Sequence, residues 1–428
     1  MSKPFFPSLV IMCCALVLAS NCLATENVLS LQPLLTNTNI RNNDQYPILD
    51  QVIKQAEKYR VQIIYTQIDR NAQNQPRLTG YQFGLNEQQY FYPASTVKLP
   101  IALLALEWLQ QHTQYGVNTK TTMLTDSSSA TLTAQLADPS TANGLPNIEH
   151  YIKKLLLVSD NDASNRLYEL LGQDYINKSL AAKGIHNTVI NHRLSIPLTS
   201  SENRTYNPIR FVDNSNKILY QLPQRHSTTI YRNDTKPKIG QAYFADGKLI
   251  NQPMDFTDKN RFSLSDFDST IKRIVFPQLF SANQRFNISA EQRKFMLKYM
   301  SMLPAMSIEP KYDVKQYPDN YSKFVMFGGN PQSIPKHIKI FNKTGWSYGH
   351  VIDGAYIVDS INNVEFFLTA VVYANENATL NDDNYQIEQI ALPFLNQLGN
   401  FLYQLELTRT KQHAPDLTEI IQITNKTD

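Results

Sequence analysis

Tyr92-Pro93-Ala94-Ser95-Thr96-Val97-Lys98 runs directly into Leu99-Pro100-Ile101-Ala102-Leu103-Leu104-Ala105-Leu106-Glu107-Trp108-Leu109. The second stretch is apolar around most of its circumference, which predicts a helix buried in a core rather than laid on a surface. The first stretch ends in a serine and a lysine three apart, on neighbouring positions of one helix face. Backbone N–H groups at a helix start lack partners and favour developing negative charge. A serine hydroxyl is a poor nucleophile until a base takes its proton. A lysine is such a base when burial or a nearby cation lowers its pKa. The N–H of Ser95 would supply half of an oxyanion hole.

Ser-x-x-Lys recurs at Ser269-Thr270-Ile271-Lys272 and Ser333-Ile334-Pro335-Lys336, so the spacing alone decides little. Only Ser95 stands directly before a long apolar helix. A second element, Ser159-Asp160-Asn161, follows the apolar run Leu155-Leu156-Leu157-Val158. Its ordinary reading is a helix cap, a role all three residue types favour. Its functional reading makes Ser159 a proton relay to a leaving group and Asn161 a hydrogen-bond partner for a substrate amide. A third element, Lys343-Thr344-Gly345, occurs once, at the end of a predicted strand and before Trp346-Ser347-Tyr348-Gly349-His350. Lys343 would place a cation in the cleft, and Thr344 would bind a substrate carboxylate. Gly345 would let a ligand approach the backbone, and the N–H of Trp346 would complete the oxyanion hole.

Outward from these elements, the chain divides by periodicity. Pro47 to Arg60 repeats apolar residues at helical spacing. Val61–Thr66 is a β-branched strand and Tyr81–Tyr92 its returning partner. Helices are predicted over 148–157, 162–171, 173–183 and 290–302, with 195–266 irregular apart from an Asp246-Gly247 hairpin at 243–250. Three strands follow, at 338–343, 355–359 and 366–373, then a helix over 385–405. The fold class predicted is α+β. A five-stranded antiparallel sheet from both chain ends (47–94 and 327–408) packs with helices, beside a mostly helical lobe (95–326) carrying a long insertion at about 200–325. A polar N-terminal segment (25–46) and a polar tail (409–428) flank this domain.

Composition narrows the function. A net charge of +3 on 428 residues, with no dense Lys/Arg stripe, argues against a nucleic-acid partner. Residues 1–24 read as a secretory signal: Lys3, the apolar run Val10–Leu18, and Ala24 before Thr25. The expectation is a secreted or periplasmic protein, with lipid anchoring at Cys22 as the alternative. No later segment is long and apolar enough for a membrane span. Cys13, Cys14 and Cys22 all lie in the signal, which leaves the remainder without a disulfide, a cysteine nucleophile or a thiolate metal site. No Gly-x-Ser-x-Gly elbow, His-Glu-x-x-His zinc motif or Gly-rich phosphate loop is present. No metal or other cofactor is expected.

Ser-x-x-Lys, Ser-Asp-Asn and Lys-Thr-Gly, in this order, make the chain resemble the penicillin-recognising serine enzymes, class A β-lactamases above all. Asn165, four after Asn161, and Asp353–Ile357 extend the likeness to about Pro47–Leu405. The resemblance implies a β-lactamase/penicillin-binding-like fold and an acyl-enzyme on Ser95. Lys98, Ser159 and Lys343 would be catalytic, and Asn161, Thr344, Gly345 and Trp346 would bind substrate. The substrate implied is a β-lactam or the cell-wall peptide it imitates. One departure stands out. Class A enzymes carry a Glu-x-x-Leu-Asn loop whose Glu activates the deacylating water. Here His192–Asn203 has Arg193-Leu194 as the opening of that loop, but Leu198 about where the Glu belongs. Glu202 is the only nearby carboxylate, offered as a possible deacylation base. A missing general base costs about 10²–10⁴-fold in its step. A cell-wall D,D-peptidase or esterase that β-lactams only inhibit, a vestigial cell-wall-binding protein and a structural surface protein remain as alternatives. His350 is the one histidine close enough to the third motif to watch.

Overall fold

The computed structural model describes residues 27–36, 45–329 and 331–425. The predicted signal, with Cys22, lies outside them, as does most of the N-terminal segment. Its centre is a six-stranded sheet: β1 (Asn27–Ser30), β2 (Gln62–Arg70), β3 (Pro76–Phe83), β4 (Ile338–Ser347), β5 (His350–Asp359) and β6 (Val364–Tyr373), in the order β1-β3-β2-β6-β5-β4. The α+β class read from the sequence is what the structure shows. The junction of the two chain ends is the antiparallel pairing of β2 with β6, for example Tyr65 against Leu368.

Two sequence readings of the sheet are corrected. It has a sixth strand, β1, paired parallel to β3 at the outer edge, inside a segment read as polar. The returning strand is Pro76–Phe83 rather than Tyr81–Tyr92. Residues 84–93 instead carry the chain off the sheet to the Ser95 turn, with Tyr90 and Tyr92 buried by aromatic packing. That burial explains why their aromatic content resembled a strand.

The sheet is covered on both faces, so its strands read as near-continuous apolar runs. Alternate residues serve opposite cores. Ile64, Ile352, Tyr356 and Phe367 face one side. There they meet α2 (Lys98–Gln110), α3 (Ile148–Leu157), α4 (Asn161–Ala182), α5 (Leu264–Val275) and α6 (Ala290–Ser301). Ile63, Tyr65, Ala355 and Phe366 face the other side, against α1 (Pro47–Lys54) and α7 (Leu392–Thr408). Helix α2 is the axis of the first core: every residue from Lys98 to Leu109 is buried. Each such Leu or Ile contributes roughly 1.5–3 kcal/mol.

Local chemistry sets the helix ends. Asn147 caps α3 by accepting from the N–H of His150 at 2.8 Å, and Asp160 caps α4 by accepting from that of Ala163 at 2.8 Å. Ser289 and Gln292 form a capping box on α6. Helix α4 breaks at Gly172, where φ is +74° and a Cβ would lie 3.2 Å from the Tyr206 ring. The region 95–326 carries more sheet than predicted. Thr122–Thr125, Ile209–Val212 and Ile218–Leu222 form a three-stranded unit, and several two-stranded ladders accompany it. Strands this short offer too few alternations for periodicity to register. The Asp246-Gly247 hairpin is present as Ala242–Ala245 against Lys248–Ile250. The last predicted helix begins as a π turn at Ile387–Ala391 before α7. The polar tail contains α8 (Thr418–Asn425), which buries Ile420 and Ile423 against the first core, next to buried Leu417.

Candidate active site

Pro93 and Thr96 shape the turn that presents Ser95. The Thr96 N–H and hydroxyl both donate to the Pro93 carbonyl, at 3.1 and 2.7 Å. This closes a 3₁₀ turn over Ala94–Val97 that feeds α2 without a separate cap. Ala94 has φ of +48°, an unfavourable conformation held by the surrounding structure. Ser95 is partly exposed in a cleft of about 520 Å³. Its hydroxyl makes no hydrogen bond among the described residues.

Lys98 is fully buried under that cleft. Its ammonium donates to the Ser159 carbonyl, to Ser159 Oγ at 3.2 Å and to Asn161 Oδ1 at 2.6 Å. From β4, Lys343 Nζ reaches the same Ser159 Oγ at 2.9 Å and the Thr344 carbonyl at 2.9 Å. One hydroxyl thus bridges two buried lysines. Ser159 is held there with φ of +59°, between α3 and α4. Burial, and secondarily the Lys343 charge, pushes Lys98 well below the ordinary lysine range, with Asp160 opposing. Burial also pushes Lys343 down to about 7, against the pull of Asp353 and helped by Lys323. A lysine whose pKa is lowered in this way gives up its proton more readily, as a base for serine activation must.

A second buried layer gathers around Asn342, next to Lys343, and sequence reasoning missed it. Lys323 is buried and donates to the Met300 carbonyl at 2.6 Å, the Ile340 carbonyl at 3.0 Å and Asn342 Oδ1 at 2.6 Å. Asp353 accepts from the Asn342 amide at 2.8 Å and from the N–H groups of Phe324 and Val325, both at 3.0 Å. The segment 320–329 is thereby fastened to β4 and β5. Asp353 had been noted only as part of a strand, and Lys323 lies in no motif.

Strand β4 is the free edge of the sheet and runs beside the Ser95 turn. A Cβ on Gly345 would lie 2.7 Å from the Pro93 carbonyl oxygen and 3.1 Å from the Ser95 nitrogen. Only glycine permits this approach. Thr344, Gly345 and Trp346 line the cleft, with Trp346 54% exposed.

Other predicted residues fall differently. Asn161 is spent at both ends: Oδ1 binds Lys98, and its Nδ2 donates to Ser195 Oγ at 2.9 Å. Asn165 clamps the next loop, bonding the Leu194 N–H at 2.8 Å and its carbonyl at 3.0 Å. Arg193 pairs in the interior with Glu169 at 3.0 Å. Leu194 and Ser195, rather than Leu198, therefore line the cleft where the loop meets it. Glu202 is not brought to the cleft. Its carboxylate caps the short helix Ser200–Asn203, accepting from the Thr199 N–H at 2.8 Å, Thr199 Oγ1 at 2.7 Å and Thr131 Oγ1 at 2.9 Å. Those bonds hold its pKa below the usual carboxylate range. His350 is buried against the Tyr373 ring, 4.6 Å between centroids. Burial pushes it down to about 3, so it stays neutral and does not line the cleft.

A larger cavity of about 850 Å³ lies between α3, α6 and α8 and shares no residue with this cleft. Behind its wall residue His150, Ser140 Oγ sits 2.6 Å from Asp138 Oδ1 and 2.7 Å from His150 Nε2. A carboxylate can only accept, so the hydroxyl proton points to Asp138 and His150 donates into Oγ. That is the reverse of nucleophile activation.

Among the described residues, no group of three or more His, Cys, Asp or Glu side chains is placed to hold a metal ion, and no helix is long and apolar enough to cross a membrane. Residues 46–236 match the β-lactamase enzyme family, which bears out the sequence resemblance over that stretch. Solved structures similar to the chain include a β-lactamase from Sphaerobacter thermophilus, at 13% identity over 84% of this chain and 98% of that one, with a TM-score of 0.44. A β-lactamase from Burkholderia vietnamiensis matches at 13% identity over 86% and 99%, with a TM-score of 0.44. The protein PBP-A matches at 17% identity over 89% and 97%, with a TM-score of 0.44. No curated protein matches.

Proposed function

We propose, for a chain matching the β-lactamase enzyme family over residues 46–236, a serine hydrolase that works through an acyl-enzyme on Ser95. The observation that carries this is the pair of buried lysines sharing Ser159 Oγ at the cleft that also holds the unpartnered Ser95 hydroxyl. Neutral Lys98 takes the Ser95 proton as Oγ attacks an amide or ester carbonyl. The oxyanion rests on the N–H groups of Ser95 and Trp346. When the carbon–nitrogen bond breaks, the proton passes from Lys98 through Ser159 Oγ to the leaving nitrogen. Lys343, when protonated, and Thr344 hold a substrate carboxylate. The proposed substrates are β-lactams or the D-amino-acid peptides of bacterial cell wall, met in the periplasm or outside the cell.

Release is the weaker half of the reaction. Among the described residues lining the cleft, no carboxylate stands on the Leu194–Ser195 side, where a hydroxyl bonded to Asn161 takes the place of a base. This favours a cell-wall peptidase or esterase that β-lactams inhibit over a fast β-lactamase. The test is intact-mass measurement after incubation with benzylpenicillin. A penicilloyl adduct in the parent, absent in Ser95→Ala, supports the reading. No adduct on the folded parent refutes it.

A further inference from the structure

Resting on the acyl-enzyme reading above, we propose that the cleft selects substrates bearing a cationic group, and that Glu388 is the residue that selects them. Among the described residues lining the cleft, Glu388 is the only one with an ionisable carboxylate or a basic side chain. The two lysines of the reaction lie beneath the surface, donated to Ser159, Asn161 and Thr344. Glu388 is exposed, and its carboxylate has no hydrogen bond or ion pair among the described residues.

Its neighbourhood gives the charge a partner. Glu388 sits in the π turn Ile387–Ala391, a local irregularity frequent at functional sites. Leu392, four residues on, lines the same cleft. Phe324 and the half-exposed Trp346 form part of the same lining, their rings 6.4 Å apart. A carboxylate in a cleft that also presents aromatic and aliphatic surface matches an arm with an apolar stem and a positively charged head. The head would be drawn by both the carboxylate and the indole face. In a peptide substrate this is the side chain of a diamino acid or a free amino group. An acidic residue in a first helical turn also complements the helix dipole. That accounts for a carboxylate near α7, but it is indifferent to substrate charge, which makes the two roles separable.

The experiment uses two matched pairs of β-lactams with the full chain. Ampicillin differs from benzylpenicillin by an ammonium on the acyl arm. Cephaloridine differs from cephalothin by a pyridinium on the opposite arm. The ratio of acylation rates within a pair cancels any general effect of a variant on folding. The ratio is expected to fall about two- to fivefold in Glu388→Gln for the pair whose charge reaches this end, and further in Glu388→Lys. In the parent the same ratio is expected to fall as salt rises, because an exposed pair is screened. Ratios unchanged for both pairs in both variants overturn this inference and leave the acyl-enzyme intact. No adduct with any of the four compounds overturns the acyl-enzyme reading and this inference with it.

Discussion

Gly345→Ala tests whether the gap between strand β4 and the Ser95 turn is functional. The new Cβ would lie 2.7 Å from the Pro93 carbonyl oxygen and 3.1 Å from the Ser95 nitrogen. Neither neighbour is a flexible side-chain tip. Pro93 is locked by two bonds from Thr96, and Gly345 is paired with Ile352 in β5. Strand and turn must therefore part by about half an ångström, an overpacking cost of about 1–3 kcal/mol. The larger effect falls on chemistry. The methyl stands against the N–H proposed to hold the oxyanion, and loss of one such donor costs about 10²–10³-fold. The prediction is a Gly345→Ala protein that still melts cooperatively, somewhat below the parent, while its acylation by a fluorescent penicillin slows at least about a hundredfold. Gly116→Ala, strained at φ of +73° with nothing within 4 Å of the new Cβ, gives the control for a loss of stability that does not touch the site. A Gly345→Ala protein acylated within about twofold of the parent rate would refute the assignment of the Ser95 N–H.

Other outcomes follow from the same geometry. The Lys343 charge helps hold the Lys98 pKa down, so removing it in Lys343→Met should raise that pKa and move the acid limb of the acylation pH profile to higher pH. A limb that stays put or moves to lower pH contradicts the coupling. The lysine shifts also act on stability: with Lys343 at about 7 when folded and near 10.5 when unfolded, the unfolded chain binds more protons between those values. Its contribution to stability therefore rises with pH across that window, as denaturant melts at pH 7 and 9 would show against Lys343→Met. Finally, Ser195→Glu places a carboxylate on the cleft wall beside Asn161, and should shorten the life of the penicilloyl adduct by up to about 10²–10⁴-fold. Glu202→Gln, whose carboxylate caps a helix away from the cleft, should leave that lifetime unchanged. Intact-mass time courses decide both, and a faster release in neither Ser195→Glu nor Ser195→Asp would show that the loop cannot aim a base at the ester.

The parts legible in the sequence were those with a strong local signature. Helix α2 announces itself by unbroken apolarity, and β4 to β6 by β-branched runs between turns. The three motifs name the side chains that meet in the cleft because each is fixed by its own element. What escaped depends on distance through space. Lys323 and Asp353 belong to no motif, and only the packing of the 320–329 segment against β4 brings both onto Asn342, next to Lys343. Glu202 looked like a base because it was the nearest carboxylate in sequence. The capping box with Thr199 used it first, and Asn165 pulled Leu194 and Ser195 inward instead. Counting along an irregular loop misplaces a residue wherever one side-chain clamp sets the register. Ile420 and Ile423 were lost in a tail that is polar on average but has one apolar face.

The pairing of β2 with β6 carries a consequence for how this protein comes into being. Gln62 meets Val371, and the turn bearing Ser95 meets an edge strand that begins at Ile338. Loops this long are slow to close, because the entropy of bringing their ends together is lost before any contact repays it. A nascent chain carrying Ser95 and Lys98 but not yet β4 has neither the second lysine nor the tight glycine edge. On the acyl-enzyme proposal, Ser95 is then an ordinary serine near an ordinary lysine, and its reactivity is expected to arrive with the last strands. Covalent labelling of Ser95, if the proposal holds, would accordingly be a clock for completion of the fold, set by the meeting of the two ends of the chain.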